Sequence, residues 1–226
     1  PVPVRARITG ELRMLEQVQV GRHLLVGEVI GLRDDVATIQ VYEETSGLVP
    51  GDIVVGLGRP ISVELGPGLI GGVFDGIQRP LEALAEQSGD FIGRGVAAPA
   101  LDRQRRWGFI PQVQVGNVVS GGTVLGKVPE TELVEHRVLV PIGITGEISW
   151  VASEGEYRVE EPVARVRSAD GERELTMLQR WAVRDHRPVA GRLSPTQPLI
   201  TGQRVIDTLF PISRGGAAAV PGGFAA

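Results

Sequence analysis

The residues with the most definite chemical potential stand at the end of the sequence, where Ala217 to Val220 run into Pro221-Gly222-Gly223-Phe224. A small apolar strand entering a glycine-rich turn is how a phosphate cradle begins, because backbone N–H groups unobstructed by side chains can point at the oxyanion. The full pattern is G-x-x-x-x-G-K-[ST], whose lysine meets the outer phosphates and whose hydroxyl holds magnesium. Only Gly222 to Ala226 of it is present. The candidate nucleotide-binding residues are therefore Gly222, Gly223 and Phe224, through their backbone, with no catalytic residue and no metal ligand assigned. Two adjacent glycines after a strand also make an ordinary turn, so the surrounding chain has to decide.

Other chemistries find little support. His23, His136 and His186 lie far apart with no H-x-x-H or H-x-x-x-H spacing, which argues against a metal site. Asp34-Asp35, Glu43-Glu44 and Glu160-Glu161 are adjacent pairs in turns or on strands, where neighbouring side chains point to opposite faces, so none is an acid/base dyad. Arg103, Arg105 and Arg106 beside Trp107 read as solvated arginines or a contact between subunits rather than a nucleic-acid surface, since the net charge is −4. The absence of cysteine excludes a disulfide framework and a thiolate site and fits a cytoplasmic setting. No apolar run approaches the roughly 18 residues that span a bilayer, so direct membrane insertion is not expected.

The elements that must position these residues are mostly short strands. Thirty-one glycines and 16 prolines are scattered between Val/Ile/Leu runs, the texture of a turn-rich β protein. Leu24 to Ile30 and Val36 to Tyr42 alternate apolar and polar residues around Arg33-Asp34-Asp35, predicting a hairpin. Ile53 to Val55 and Pro60 to Leu65 add further strands, enough for a small barrel. Pro80 starts a two-turn helix with Leu81, Leu84 and Ala85 on one face and Gly89 as its stop. From about Gly95 to Val183 the spacing predicts a separate all-β module, with strands at Val113 to Val119, Thr123 to Val128 and His136 to Val140. Thr201 is expected to cap a short helix through Arg204, Val205, Ile206 and Leu209 that Pro211 ends, and a buried strand is expected at Ala217 to Val220.

Within the β module, V-x-x-G-x-x-V-x-x-G-x-x-L-G at Val113 to Gly126, followed by V-L-V-P and E-G-E-Y-x-V, resembles biotinyl and lipoyl carrier domains. A carrier needs a lysine at the tip of a hairpin, and Leu139 to Gly143 has none, while Lys127, the sole lysine, stands elsewhere. The alternative this leaves is a non-enzymatic docking module with a lipoyl-like fold.

Several strings point elsewhere. V-Y-E-E-T-S-G at Val41 to Gly47, E-L-G-P-G-L at Glu64 to Leu69, F-D-G-I-Q-R-P-L at Phe74 to Leu81 and P-L-I-T-G-Q-R-V-I-D-T-L-F-P-I at Pro198 to Ile212 resemble the catalytic A subunits of V-type and archaeal-type rotary ATPases. H-R-V-L-V-P at His136 to Pro141 and E-G-E-Y-x-V-E-E-P-V at Glu154 to Val163 extend the likeness to nearly the whole chain. One departure is Ala225, where that family usually carries Gly.

The resemblance implies a mainly β chain in four parts: a partial N-terminal β-barrel at 1–55 with its first strand missing, the first part of a nucleotide-binding domain at 56–94, an inserted lipoyl-like β-rich bulge at 95–183, and the α/β nucleotide-binding domain up to a truncated phosphate loop at 184–226. It implies a fragment of a subunit that couples ATP hydrolysis or synthesis to proton or sodium transport, itself inactive. ATP or ADP with Mg2+ would bind the complete parent protein and not this fragment. The implied partners are noncatalytic B subunits in an alternating A3B3 hexamer, a central stalk, and a peripheral stalk through the bulge, with no nucleic acid. The implied location is the cytoplasmic face of a membrane.

Overall fold

A computed structural model describes residues 3–89, 93–189, 191, 193–219 and 222. The chain forms two compact units, Pro1–Asp185 and His186–Ala226.

The first unit begins with β1 (Val4–Arg7), β2 (Glu16–Val20), β3 (Leu25–Arg33), β4 (Val36–Val41) and β5 (Val54–Pro60). They make one antiparallel sheet in the order β1-β4-β3-β2-β5. Val18, Val20, Leu25, Val29, Ile39 and Val41 turn to one face and pack with Leu12, Leu32, Leu48 and Val54 around an apolar core. The alternation in these strands dictates that result, because successive side chains leave a strand on opposite faces. The expected hairpin at Arg33 to Asp35 is present, with Val36 opposite Arg33.

β6 (Ser62–Leu65) leads away from the barrel and α1 (Leu81–Ser88) follows. Pro80 precedes the helix, and Gly89, at φ 74°, ends it with its N–H donated to the Ala85 carbonyl. Leu84 is the buried side chain of α1, whereas Ala85 is exposed. The inner stripe is therefore Leu81, Leu84 and Ser88, set by the i, i+3, i+7 spacing rather than by the apolar count.

The next strands are β7 (Arg106–Pro111), β8 (Val118–Ser120), β9 (Val124–Pro129), β10 (Glu135–Leu139), β11 (Thr145–Val151), β12 (Gly155–Arg158), β13 (Pro162–Ser168) and β14 (Gly171–Thr176). They form two four-stranded sheets, β10-β9-β7-β12 and β14-β13-β11-β8. Between them lies a second core, with Phe109, Leu125, Val128, Val138, Ile148 and Val166 at its centre. β15 (Gln179–Ala182) then returns to pair antiparallel with β6, Arg180 opposite Glu64, so both ends of the inserted sandwich are tied to each other. The expected strand at Val113 to Val119 is mostly a turn: Gly116 has φ 91° and the Gln114 N–H donates to Asn117 Oδ1 at 2.9 Å, leaving strand only from Val118.

The second unit holds β16 (Pro198–Leu199), α2 (Arg204–Leu209) and β17 (Ile212–Ser213), with β16 and β17 paired antiparallel. Gln203 occupies the position before α2, and Thr201 does not cap it. Instead the Asp207 carboxylate accepts the Thr201 N–H at 2.9 Å, the Thr201 hydroxyl at 2.8 Å and the Gly202 N–H at 3.0 Å, folding T-G-Q-R-V-I-D onto itself. A carboxylate two turns downstream satisfies more donors than one hydroxyl can. Ala217 to Ala219 are exposed and not in a strand, and Val220 lies outside the described residues.

Candidate functional site

Of the three proposed phosphate-cradle residues, Gly222 is exposed and in no regular element, while Gly223 and Phe224 lie outside the described residues. What the structure places upstream of them is the self-bonded loop closed by Asp207, whose carboxyl those donors, the Thr201 N–H first, hold below its ordinary value.

The structure does assemble three carboxylate–arginine junctions in the first unit. At the first, Glu28 alternates with core-facing Gly27 and Val29 and so leaves β3 on the opposite face, yet it is only 1% exposed. Arg184, 156 residues later, covers it, donating Nε–H to Oε1 at 2.8 Å and an NH2 proton to Oε2 at 2.5 Å. The Tyr42 hydroxyl adds a bond to Oε2 at 2.9 Å. Arg184 holds the Glu28 carboxyl below the ordinary range against the opposing effect of burial, while burial and Glu28 push Tyr42 up.

At the second junction, Glu43 of V-Y-E-E-T-S-G meets Arg79 of F-D-G-I-Q-R-P-L at 3.1 Å, with both side chains largely buried. Glu43 also accepts the Val26 N–H at 3.1 Å and the Gly95 N–H at 2.8 Å. Asp75 binds Arg79 Nε at 2.7 Å and takes the N–H groups of Ile77 and Arg79. Burial alone would raise Asp75, but these donors bring it below its ordinary value. One arginine therefore joins the barrel to the loop before α1.

At the third, Glu64 of E-L-G-P-G-L binds Arg103 at 2.7 Å and Arg180 at 3.3 Å. Burial opposes the Glu64 charge, and the two arginines more than offset it, so its carboxyl titrates low. Its backbone exchanges two bonds with the Gln78 amide, at 2.6 and 2.7 Å, so that a side chain stands in for a neighbouring strand. Gln78 sits at φ 63°, an uncommon conformation for a residue with a side chain.

Arg103 is thus an internal tie, not a solvated cation, and it also reaches Glu160 at 2.7 Å. Arg105 stacks over Trp107, 3.9 Å from the ring centre. No group of three metal-ligating side chains occurs among the described residues. Lys127 lies on β9 and pairs with Glu135 at 2.9 Å, away from the tip at Leu139 to Gly143, so carrier chemistry has no attachment point. Pairing of carboxylate and guanidinium within a fold is a positioning arrangement: Glu28, Glu43, Asp75 and Glu64 each have an arginine partner.

Sequence reading treated Glu43 as one of an unremarkable pair and gave Glu28 no part. The available signal was a glutamate in the middle of the apolar run Leu25 to Ile30. Glu28→Gln is expected to lower stability at pH 7 by about 1 kcal/mol, the half-exposed arginine limiting the loss. A depressed folded-state value means that stabilisation is fully present above about 4.5, the ordinary glutamate value, and disappears as pH falls through the lower folded value. Urea midpoints between pH 3 and 7 should therefore fall less steeply in acid for Glu28→Gln than for the parent; parallel curves would show that Glu28 titrates normally.

Comparison with known proteins explains why these motifs meet. The family model for the ATP synthase alpha/beta family, beta-barrel domain, matches residues 4–58, and that for the ATPsynthase alpha/beta subunit barrel-sandwich domain matches 98–184. The chain belongs to the ATP synthase alpha/beta family. Within it, the chain is 54% identical to the A subunit of the A-type ATP synthase of Pyrococcus abyssi, over 96% of this chain and 22% of that protein. It is 53% identical to the corresponding A-type ATP synthase protein of Thermococcus sibiricus, over 96% of this chain and 39% of that one. The V-type ATP synthase alpha chain of a Thermoanaerobacter species is 52% identical over 95% of this chain and 36% of its own. The chain thus spans well under half the length of these curated relatives. The mainly β fold and the A-subunit likeness expected from the sequence agree with these matches, and the second and third junctions tie together strings by which the family was first apparent.

Proposed function

We propose that this chain is the barrel, inserted sandwich and loop-approach portion of the catalytic A subunit of an ion-translocating rotary ATPase, which couples ATP hydrolysis or synthesis to proton or sodium movement. The observation that carries this reading is 54% identity over 96% of the chain to an A-type ATP synthase A subunit, spanning the inserted sandwich as well as the barrel. The sandwich is the part that the resemblance assigns to A subunits and not to the noncatalytic B subunits.

In this reading the backbone of Gly222, Gly223 and Phe224 opens the phosphate cradle, and the Asp207-closed loop sets the path of the chain toward it. No magnesium ligand and no catalytic step is assigned to the chain's own described residues. The four-part division at 1–55, 56–94, 95–183 and 184–226 belongs to the same proposal, as do alternating contacts with B subunits, a central stalk and a peripheral stalk at the bulge, and a peripheral position on the cytoplasmic face of a membrane. Among the described residues no helix is long and apolar enough to cross one.

Calorimetric titration of MgATP tests the proposal. The 226-residue chain alone should show no binding. A chain extended through G-K-[ST] and the rest of the parent protein, assembled with the noncatalytic partner, should bind. Binding by the short chain would place the nucleotide site elsewhere, and failure of the extended assembly would remove the ATPase reading.

A further inference from the structure

A cavity of about 350 Å³ opens between the tip that joins β10 to β11 and the β14–β15 edge of the sandwich. Its apolar side includes Pro141, Ile142, Ile144, Leu175, Leu178 and Trp181, with Ile142 49% exposed. Its charged side consists of Arg173, Glu174 and Arg180. These charges do not cancel one another. Glu174 is already answered from outside the cavity by Arg165, which binds it at 3.0 and 2.8 Å. Arg173 has no ion-pair partner among the described residues. Arg180 makes one long contact, 3.3 Å, to a Glu64 oxygen that Arg103 already holds at 2.7 Å, and its side chain stays 54% exposed. In a chain of net charge −4, this is a local surplus of positive charge beside exposed isoleucine.

We propose that this cavity is a docking site for an acidic, amphipathic segment of another protein, an apolar side chain seated against Ile142 and a neighbouring carboxylate paired with Arg173 and Arg180. Two guanidinium groups flanking an apolar floor match a carboxylate one or two positions from an anchor residue, and arginine suits the planar, bidentate contact. The site is independent of the nucleotide reading, since it uses residues 141–181 alone.

Titrating the 226-residue chain with a blocked peptide of alternating Glu and Leu, read by amide chemical shifts, is expected to move Ile142, Thr176 and Gln179 and leave the barrel amides still. Arg173→Glu should weaken that binding about tenfold and Arg173→Gln by less, with the sandwich spectrum otherwise preserved. A peptide of alternating Lys and Leu should not bind. The proposal is overturned if the acidic peptide shifts nothing, if the basic one binds equally, or if Arg173→Glu binds as the parent does. It is equally overturned if the free chain self-associates through this face, or if the longer parent protein no longer binds the peptide because its own remainder covers the cavity.

Discussion

Replacing Phe109 with alanine should destabilise the sandwich by about 3–5 kcal/mol, the cost of removing a fully buried aromatic ring whose neighbours cannot collapse into the space. Phe109 is 0% exposed and stands on β7, between the strands that carry Leu125 and Tyr157. It packs edge-on against the Tyr157 ring, with centroids 6.3 Å apart. It also fills the space that Gly126 leaves open, since a Cβ at Gly126 would run into the Phe109 ring and the Ile110 carbonyl. A strand pair shaped around one ring has little freedom to repack, because cores are as tightly filled as organic crystals. Chemical denaturation followed by tryptophan fluorescence checks the result: Trp107 is on the same strand, and Trp150 is on the other sheet. A loss below about 1.5 kcal/mol would mean that the two sheets can close over the gap.

The second large effect is expected at Gly95. Its φ is 68°, its N–H is held by Glu43, and a Cβ added there would land on the His23 carbonyl oxygen. Gly95→Ala thus combines a left-handed backbone with a backbone clash that no rotamer can relieve, for an expected loss of about 3 kcal/mol. The chain must retreat from His23 and so withdraw its N–H from Glu43, leaving the Glu43–Arg79 contact one donor short. Hydrogen exchange should show this as faster exchange of the Gly95 and Val26 amides, both of which donate to Glu43. Unchanged exchange at Val26 would show that the junction survives without Gly95.

The barrel strands were legible because their alternation is local: Leu25 and Val29, or Ile39 and Val41, declare the inner face without knowledge of any distant residue. Turn chemistry was less so. The V-x-x-G spacing at Val113 to Val119 mimics a strand until Asn117 is seen to bond back to Gln114, an Asx-type local contact that competes with the ladder. Thr201 was read as a cap from its type, but its hydroxyl accepts the N–H of Gln203, ahead of the helix, and itself donates to Asp207, two turns on. The buried acids were least legible, since Glu28 and Arg184 are 156 residues apart and nothing in either neighbourhood names the other. The phosphate cradle was read from Gly222 onward, with Gly223 and Phe224 outside the described residues, so its placement rests on the family likeness rather than on geometry.

The pairing of β6 with β15 bears on how such a chain reaches its native state. Glu64 and Arg180, 116 residues apart, are neighbours across a two-stranded stem. If the sandwich forms first, its own strands bring those termini together, and the remainder of the polypeptide meets a closed loop whose entropy has already been spent. The effective separation between Glu28 and Arg184 then shrinks from 156 residues to about 40, the 116 between Glu64 and Arg180 being already closed, which lowers the contact order of that later step. A large insertion carried on such a stem therefore slows the assembly of its host far less than its length suggests.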